Sequence, residues 1–92
     1  MFNVESRVII GAEWNNRYVN IMIDTLSKKA GSSVYITKED SSRQVAMKSL
    51  IGLLSGGFKT GDTVKLTVIG ENEEKAKDDL KLAEDLLKGD YN

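Results

Sequence analysis

Apolar and polar residues alternate along several stretches of the chain. Over residues 2–10 the apolar residues Phe2, Val4, Val8 and Ile10 alternate with mostly polar ones, which predicts a strand with one buried face. β-branched and aromatic residues, bounded by polar turns, predict further strands. These strands lie over 34–37, around Val45 and Met47, and around Val64, Leu66 and Val68.

Three other segments carry apolar residues at helical spacing. The first follows the polar residues 13–16 and is predicted to end at Gly31, after two lysines. The second is short, begins after Ser49 and ends at the glycine pair 56–57. The third opens with acidic residues 71–74 and ends at Gly89. Their apolar positions are Val19, Met22, Ile23, Leu26 and Ala30; Leu50, Ile51, Leu53 and Leu54; and Ala76, Leu80, Ala83 and Leu87.

The resulting order, βαββαβα, predicts one α+β domain over residues 1–92, a sandwich with helices on one face of a sheet. The chain contains neither cysteine nor histidine, which removes thiolate chemistry, the usual general base and the commonest metal ligand. We therefore expect no enzyme activity, no metal and no cofactor.

The net charge and its distribution along the chain argue against nucleic acid and membranes as partners. The net charge is −1 and the charges are interspersed, so no field attracts nucleic acid or an anionic membrane. No apolar stretch approaches the roughly 18 residues of a membrane helix, and the N-terminus lacks the pattern of a signal peptide. We expect a cytoplasmic protein that binds other proteins.

The sequence argues against two kinds of chemical site, a phosphate-binding loop and a catalytic pair of carboxylates. Gly56 and Gly61 have the spacing of a phosphate loop, but Asp62 occupies the lysine position and the segment leads into a strand. A helix cap followed by a turn is the better interpretation. Carboxylates along the last helix are expected on a solvated face rather than in a catalytic pair: Asp78, Asp79, Glu84 and Asp85.

The segment 14–18 runs into the first helix and is the first candidate site. Backbone N–H groups at the helix N-terminus favour an anion, and Arg17 adds a guanidinium to them. The alternative is that Asn15 or Asn16 simply caps the helix, and the sequence favours it. Trp14 and Tyr18 are expected to pack at the start of this helix rather than to bind nucleic acid.

The segment 48–54 is the second candidate site. Ser49 occupies an N-cap position, and the aliphatic residues after it exceed what one face of a short helix can bury, which predicts that some of Leu50, Ile51 and Leu54 are exposed. A phosphate on Ser49 would change the charge beside that patch. A capping serine over core leucines is an equally good interpretation.

Together these features resemble HPr, the small phosphocarrier family of the bacterial sugar phosphotransferase system. The resemblance rests on the element order, on residues 48–57, on Lys59-Thr60-Gly61-Asp62 before the fourth strand, and on residues 70–74 before an acidic helix. It covers essentially the whole chain and is strongest in the second half. It implies an open-faced β-sandwich with a four-stranded antiparallel sheet and three helices on one face.

The family carries phosphate on the histidine of a G-[LI]-H-A-R-P-A motif, which corresponds to residues 13–19. Asn15 stands at the histidine position, Arg17 matches the arginine, and the glycine and proline are absent. An amide nitrogen is not a usable nucleophile, because its lone pair is delocalised. The resemblance thus implies a member without histidine phosphocarrier activity.

Ser49 matches the serine that a dedicated kinase phosphorylates in many members of the family. Leu50, Ile51 and Leu54 match the apolar surface that docks on this HPr kinase, on phosphotransferase enzymes and on a transcription regulator. The expected function is therefore regulation or protein interaction, switched at Ser49. The alternatives are an interaction domain of unrelated role that kept only the fold, and a phosphocarrier with an unusual acceptor.

Overall fold

The computed structural model describes residues 1–90, so the last two residues of the predicted domain lie outside the described part. The elements follow the predicted order βαββαβα. They are β1 (Phe2–Ile9), α1 (Asn16–Lys29), β2 (Ser33–Lys38), β3 (Gln44–Ala46), α2 (Leu50–Ser55), β4 (Thr63–Gly70) and α3 (Glu73–Lys88).

The four strands form one antiparallel sheet in the order β1-β4-β2-β3. The central strand β4 pairs with β1 from Phe2↔Gly70 to Ile9↔Thr63, and with β2 over most of the same length. The connection through α1 therefore crosses β4 between the first and second strands. This arrangement confirms the predicted α+β sandwich.

The helices and one face of the sheet enclose the core. Val64, Leu66 and Val68 on β4 are fully buried, because β4 is flanked on both sides and covered by α3. The opposite face is mostly polar, although Ile9 is exposed on it, and it carries exposed ion pairs such as Arg7–Glu39 at 3.0 Å. Exposed pairs of this kind stabilise a fold by less than about 1 kcal/mol, so burial of the apolar face is the main source of stability.

The ends of some elements differ from the prediction. β3 ends at Ala46, and Met47 lies in the turn that follows, although it is fully buried and its N–H donates to Val34 O at 2.8 Å. Likewise, α1 is capped at its C-terminus by Ala30 in an extended conformation, one residue before Gly31. Alternation of apolar residues indicates which side chains are buried, not where the hydrogen-bonded strand ends. Met47 is buried although the strand β3 has already ended at Ala46.

The prediction of a solvated carboxylate face on α3 is wrong for one residue. Asp79 is only 7% exposed, and its Oδ2 accepts a hydrogen bond from the backbone N–H of Ser32 at 3.0 Å. This contact ties the loop between α1 and β2 to α3. Asp78, the preceding residue, is exposed as predicted. Glu84 and Asp85 are half-buried; Glu84 accepts a hydrogen bond from Ser6 Oγ at 2.8 Å.

The glycine-rich segment is a turn, as predicted. Gly56 ends α2, and Asp62 Oδ2 accepts from the N–H of Lys59 at 3.0 Å before the chain enters β4. Gly61 has a φ of +97°, a conformation that favours glycine. Lys38 fixes the segment from β2, with its Nζ 3.0 Å from Gly57 O.

Candidate functional site

Both candidate segments lie at helix N-termini, the first before α1 and the second before α2. Asn15 is the N-cap of α1: its backbone is extended, and its Oδ1 accepts from the N–H of Tyr18 at 2.8 Å. Its Nδ2 donates to Glu13 Oε1 at 3.3 Å. The Asn15 side chain is exposed, and both its oxygen and its nitrogen form hydrogen bonds within the chain. This confirms the capping interpretation and assigns the cap to Asn15 rather than Asn16.

Arg17 lies in the first turn of α1 and is exposed. Its side chain forms neither an ion pair nor a hydrogen bond with any part of the chain between residues 1 and 90. Arg17 lines a shallow cavity of about 250 Å³ with Glu13, Asn15, Tyr18 and Ile21. Because Glu13 brings a carboxylate to the same cavity, the local charge is mixed. Anion binding by Arg17 stays a prediction.

Ser49 is the N-cap of α2. Its Oγ accepts from the N–H of Gly52 at 3.1 Å, and its carbonyl accepts from the N–H of Leu53 at 3.0 Å. The side chain is partly exposed, and the first turn of α2 contains no acidic residue. Ser49 therefore acts as the capping serine that the sequence predicts.

The aliphatic residues of α2 divide between core and solvent. Leu53 is fully buried, whereas Leu50, Ile51 and Leu54 are 37%, 80% and 44% exposed. We call these three exposed residues the apolar patch. The predicted exposure is confirmed for all three. Ile21 on α1 is also 48% exposed, and the sequence carried a signal for it: it lies outside the stripe formed by Val19 and Met22.

Trp14 connects the two candidate segments. Its indole Nε1–H donates to Leu53 O of α2 at 3.3 Å, and its ring lies 6.0 Å from that of Phe58, tilted by 51°. Its backbone N–H donates to Thr60 Oγ1 at 3.3 Å, and Thr60 Oγ1 donates in turn to Ala12 O at 2.7 Å. The loop before α1 is therefore fixed to α2 and to the segment that follows it.

Tyr18 fixes the other side of the same loop. Its hydroxyl donates to Leu86 O near the C-terminal end of α3. Beside it, the N–H groups of Gly11 and Ala12 both donate to Leu87 O. These bonds satisfy carbonyls that the end of α3 leaves open. Burial, together with the negative charge of Asp90, raises the pKa of Tyr18.

We expect Tyr18→Phe to lower stability by about 0.5–1 kcal/mol at neutral pH, because Leu86 O keeps a second donor, the N–H of Gly89. The pKa of Tyr18 is raised in the folded state, so the unfolded chain loses this proton first. The contribution of Tyr18 is therefore complete below pH of about 10 and is lost as pH rises through the folded-state value. Urea denaturation of both proteins from pH 8 to 11 tests this, and a stability difference that stays constant or grows above pH 10 contradicts it.

Other kinds of site find little support. Among residues 1–90 no group of three or more carboxylate side chains is placed to hold a metal ion. None of the three helices is long and apolar enough to cross a membrane. Within residues 1–90 the candidate sites are therefore the Asn15–Arg17 segment and the apolar patch beside Ser49.

Fold and surface define a small open-faced α+β sandwich whose two candidate segments lie at the N-termini of α1 and α2. A family model described as "PTS HPr component phosphorylation site" matches residues 6–84, and the chain belongs to this family. HPr proteins are phosphocarriers rather than enzymes, and they interact with proteins of the phosphotransferase system. No curated protein matches the sequence.

Solved HPr structures share this fold. The phosphocarrier protein HPr from Bacillus anthracis str. Ames is 20% identical, with a TM-score of 0.79 over 92% of this chain and 96% of that one. HPr-C-His from Thermoanaerobacter tengcongensis is 27% identical, with a TM-score of 0.70 over 98% and 94%. The histidine-containing phosphocarrier protein of a mycoplasma is 15% identical, with a TM-score of 0.61 over 92% and 90%.

Proposed function

We propose that this chain is an HPr-family protein that carries no phosphate on histidine and acts as a regulatory or interaction module. The observation that carries the proposal is the absence of histidine from all 92 residues. At the position that resembles the family's phosphohistidine, Asn15 offers only an amide whose oxygen already caps α1. Arg17 remains beside it but supplies no nucleophile.

We propose further that phosphorylation of Ser49 switches this module. Ser49 adjoins the apolar patch, and a phosphoryl group adds about 1.5 to 2 negative charges there at neutral pH. No acidic side chain in the first turn of α2 opposes that charge. A charge at the border of an apolar patch changes which partners dock on it, since charges are costly to bury without a counter-charge.

The partners proposed for the apolar patch are proteins: HPr kinase, enzymes of the phosphotransferase system, or a transcription regulator. Three aliphatic side chains this exposed on adjacent turns are unusual for a free surface and typical of a docking site. The setting proposed for these interactions is the cytoplasm, where the system's carriers meet their partners.

The first test is incubation with ATP and an HPr kinase, followed by intact-mass and fragment analysis. We expect one phosphate, located at Ser49. Ser49→Ala should abolish the modification, whereas the matched variant Ser55→Ala, on the same helix, should still accept it. An HPr that is a substrate of the same kinase serves as the positive control. Absence of labelling beside a labelled control would contradict the switch.

The second test supplies phosphoenolpyruvate and the first enzyme of the phosphotransferase system. We expect no acid-labile phosphate on this chain, since neither Asn15 nor any histidine can accept it. Acid-labile labelling would overturn the proposal in favour of a phosphocarrier with an unusual acceptor. No phosphate from either donor would favour an interaction domain that kept only the HPr fold.

A further inference from the structure

The short helix α2 ends at Gly56, and the last carbonyls of any helix have no partner within its own ladder. Leu53 O is one of these carbonyls in α2. Such carbonyls need donors from outside the helix.

Trp14 supplies one of these donors from outside the helix. Its indole Nε1–H donates to Leu53 O at 3.3 Å, while the hydroxyl of Ser55 donates to Ile51 O from within α2. The backbone of Trp14 is itself held by Thr60 Oγ1. The end of α2 is thus fixed to the loop that precedes α1.

Ser49, at the N-terminal end of α2, contacts the same helical turn that Trp14 contacts from the C-terminal end. The N–H of Leu53 donates to Ser49 O, and the carbonyl of Leu53 accepts from Trp14, so one residue of α2 contacts both. The Ser49 hydroxyl also accepts from the N–H of Gly52. A helix of six residues is marginal without support, so the order of this turn depends on both of its ends.

We propose that Trp14 is a positioning residue that couples the state of Ser49 to the Asn15–Arg17 start of α1. Trp14 directly precedes Asn15, which caps α1, and Arg17 follows in the first turn. A change at Ser49 that loosens α2 weakens the bond to the indole and alters the placement of Arg17. The coupling itself exists in the chain without phosphate on Ser49. Its role in regulation rests on the phosphorylation switch proposed at Ser49.

Hydrogen exchange of the Trp14 indole N–H, followed by NMR on the full chain, tests the coupling. We expect Ser49→Ala to accelerate this exchange about fivefold, the effect of losing a typical N-cap. The matched control is Asn72→Ala, which removes the N-cap of α3, a helix that Trp14 does not hydrogen-bond. We expect this control to leave the exchange of the indole N–H unchanged. Equal effects of the two variants, or no effect of Ser49→Ala, would overturn the proposal.

Trp14→Phe separates coupling from simple destabilisation, because it keeps an aromatic ring near Phe58 while it removes the indole N–H together with one ring of the indole. In the wild-type background, Ser49→Ala should also accelerate exchange of the Tyr18 N–H, which Asn15 Oδ1 accepts. In the Trp14→Phe background, we expect Ser49→Ala to have no further effect there. Persistence of the effect would show that coupling bypasses Trp14. If the kinase does not phosphorylate Ser49, the proposed function is contradicted, but the coupling measured by hydrogen exchange still stands.

Discussion

Leu53→Ala is expected to lower the free energy of unfolding by about 2–5 kcal/mol, the range for removal of a fully buried leucine. Leu53 is the only fully buried residue of α2, and its backbone holds both Ser49 and Trp14. Truncation leaves a cavity between α2 and the core that so short a helix cannot fill by local adjustment. Urea denaturation followed by circular dichroism measures the loss.

Leu54→Ala is the matched control for this prediction. The two substitutions share the residue type, the helix and the small gain in helix propensity, but Leu54 is 44% exposed. We expect Leu54→Ala to change stability by about 1 kcal/mol or less. Its effect should appear instead in the binding of a protein partner to the apolar patch. Equal destabilisation by both variants would show that Leu54 is a core residue and would contradict the assigned patch.

Much of the fold could be predicted because its signals are local. Alternation over residues 2–10 gave the first strand, and a capping side chain marked the start of α1 and of α2. Spacing alone does not determine strand order, and the family resemblance supplied the antiparallel sheet. The alternation of Val45 and Met47 predicts that both lie in β3, but the chain already turns at Met47 towards α2.

The candidate site was predictable where it depends on a few consecutive residues. Ser49 before an aliphatic run indicates a cap, and too many aliphatic residues for one face indicate exposed ones. The contacts of Trp14 and Tyr18 are different. The indole of Trp14 reaches a carbonyl 39 positions away, and the hydroxyl of Tyr18 one 68 positions away. Local sequence patterns do not predict such long-range hydrogen bonds, because these bonds depend on how the helices pack against one another.

The misplaced carboxylate on α3 has a clearer cause. Asp79 lies three residues after Ala76 and four before Ala83, which places it on the buried stripe of the helix. Helical periodicity therefore predicts a buried position for Asp79, whereas the polarity of its side chain predicts an exposed one. A carboxylate on a buried stripe requires a donor in the fold. The backbone N–H of Ser32 supplies that donor.

Asp79→Ala is accordingly expected to lower stability by about 1.5–3 kcal/mol, the range for a hydrogen bond to a charged group. The substitution leaves the Ser32 N–H without its acceptor in a buried loop and frees the connection between α1 and β2 from α3. Asp78→Ala is the matched control, because it brings the same gain in helix propensity at an exposed position. The difference between the two variants in urea denaturation isolates the contact. If Asp79→Ala is as stable as Asp78→Ala, the contact does not hold the loop, and the buried charge costs as much as its hydrogen bond contributes.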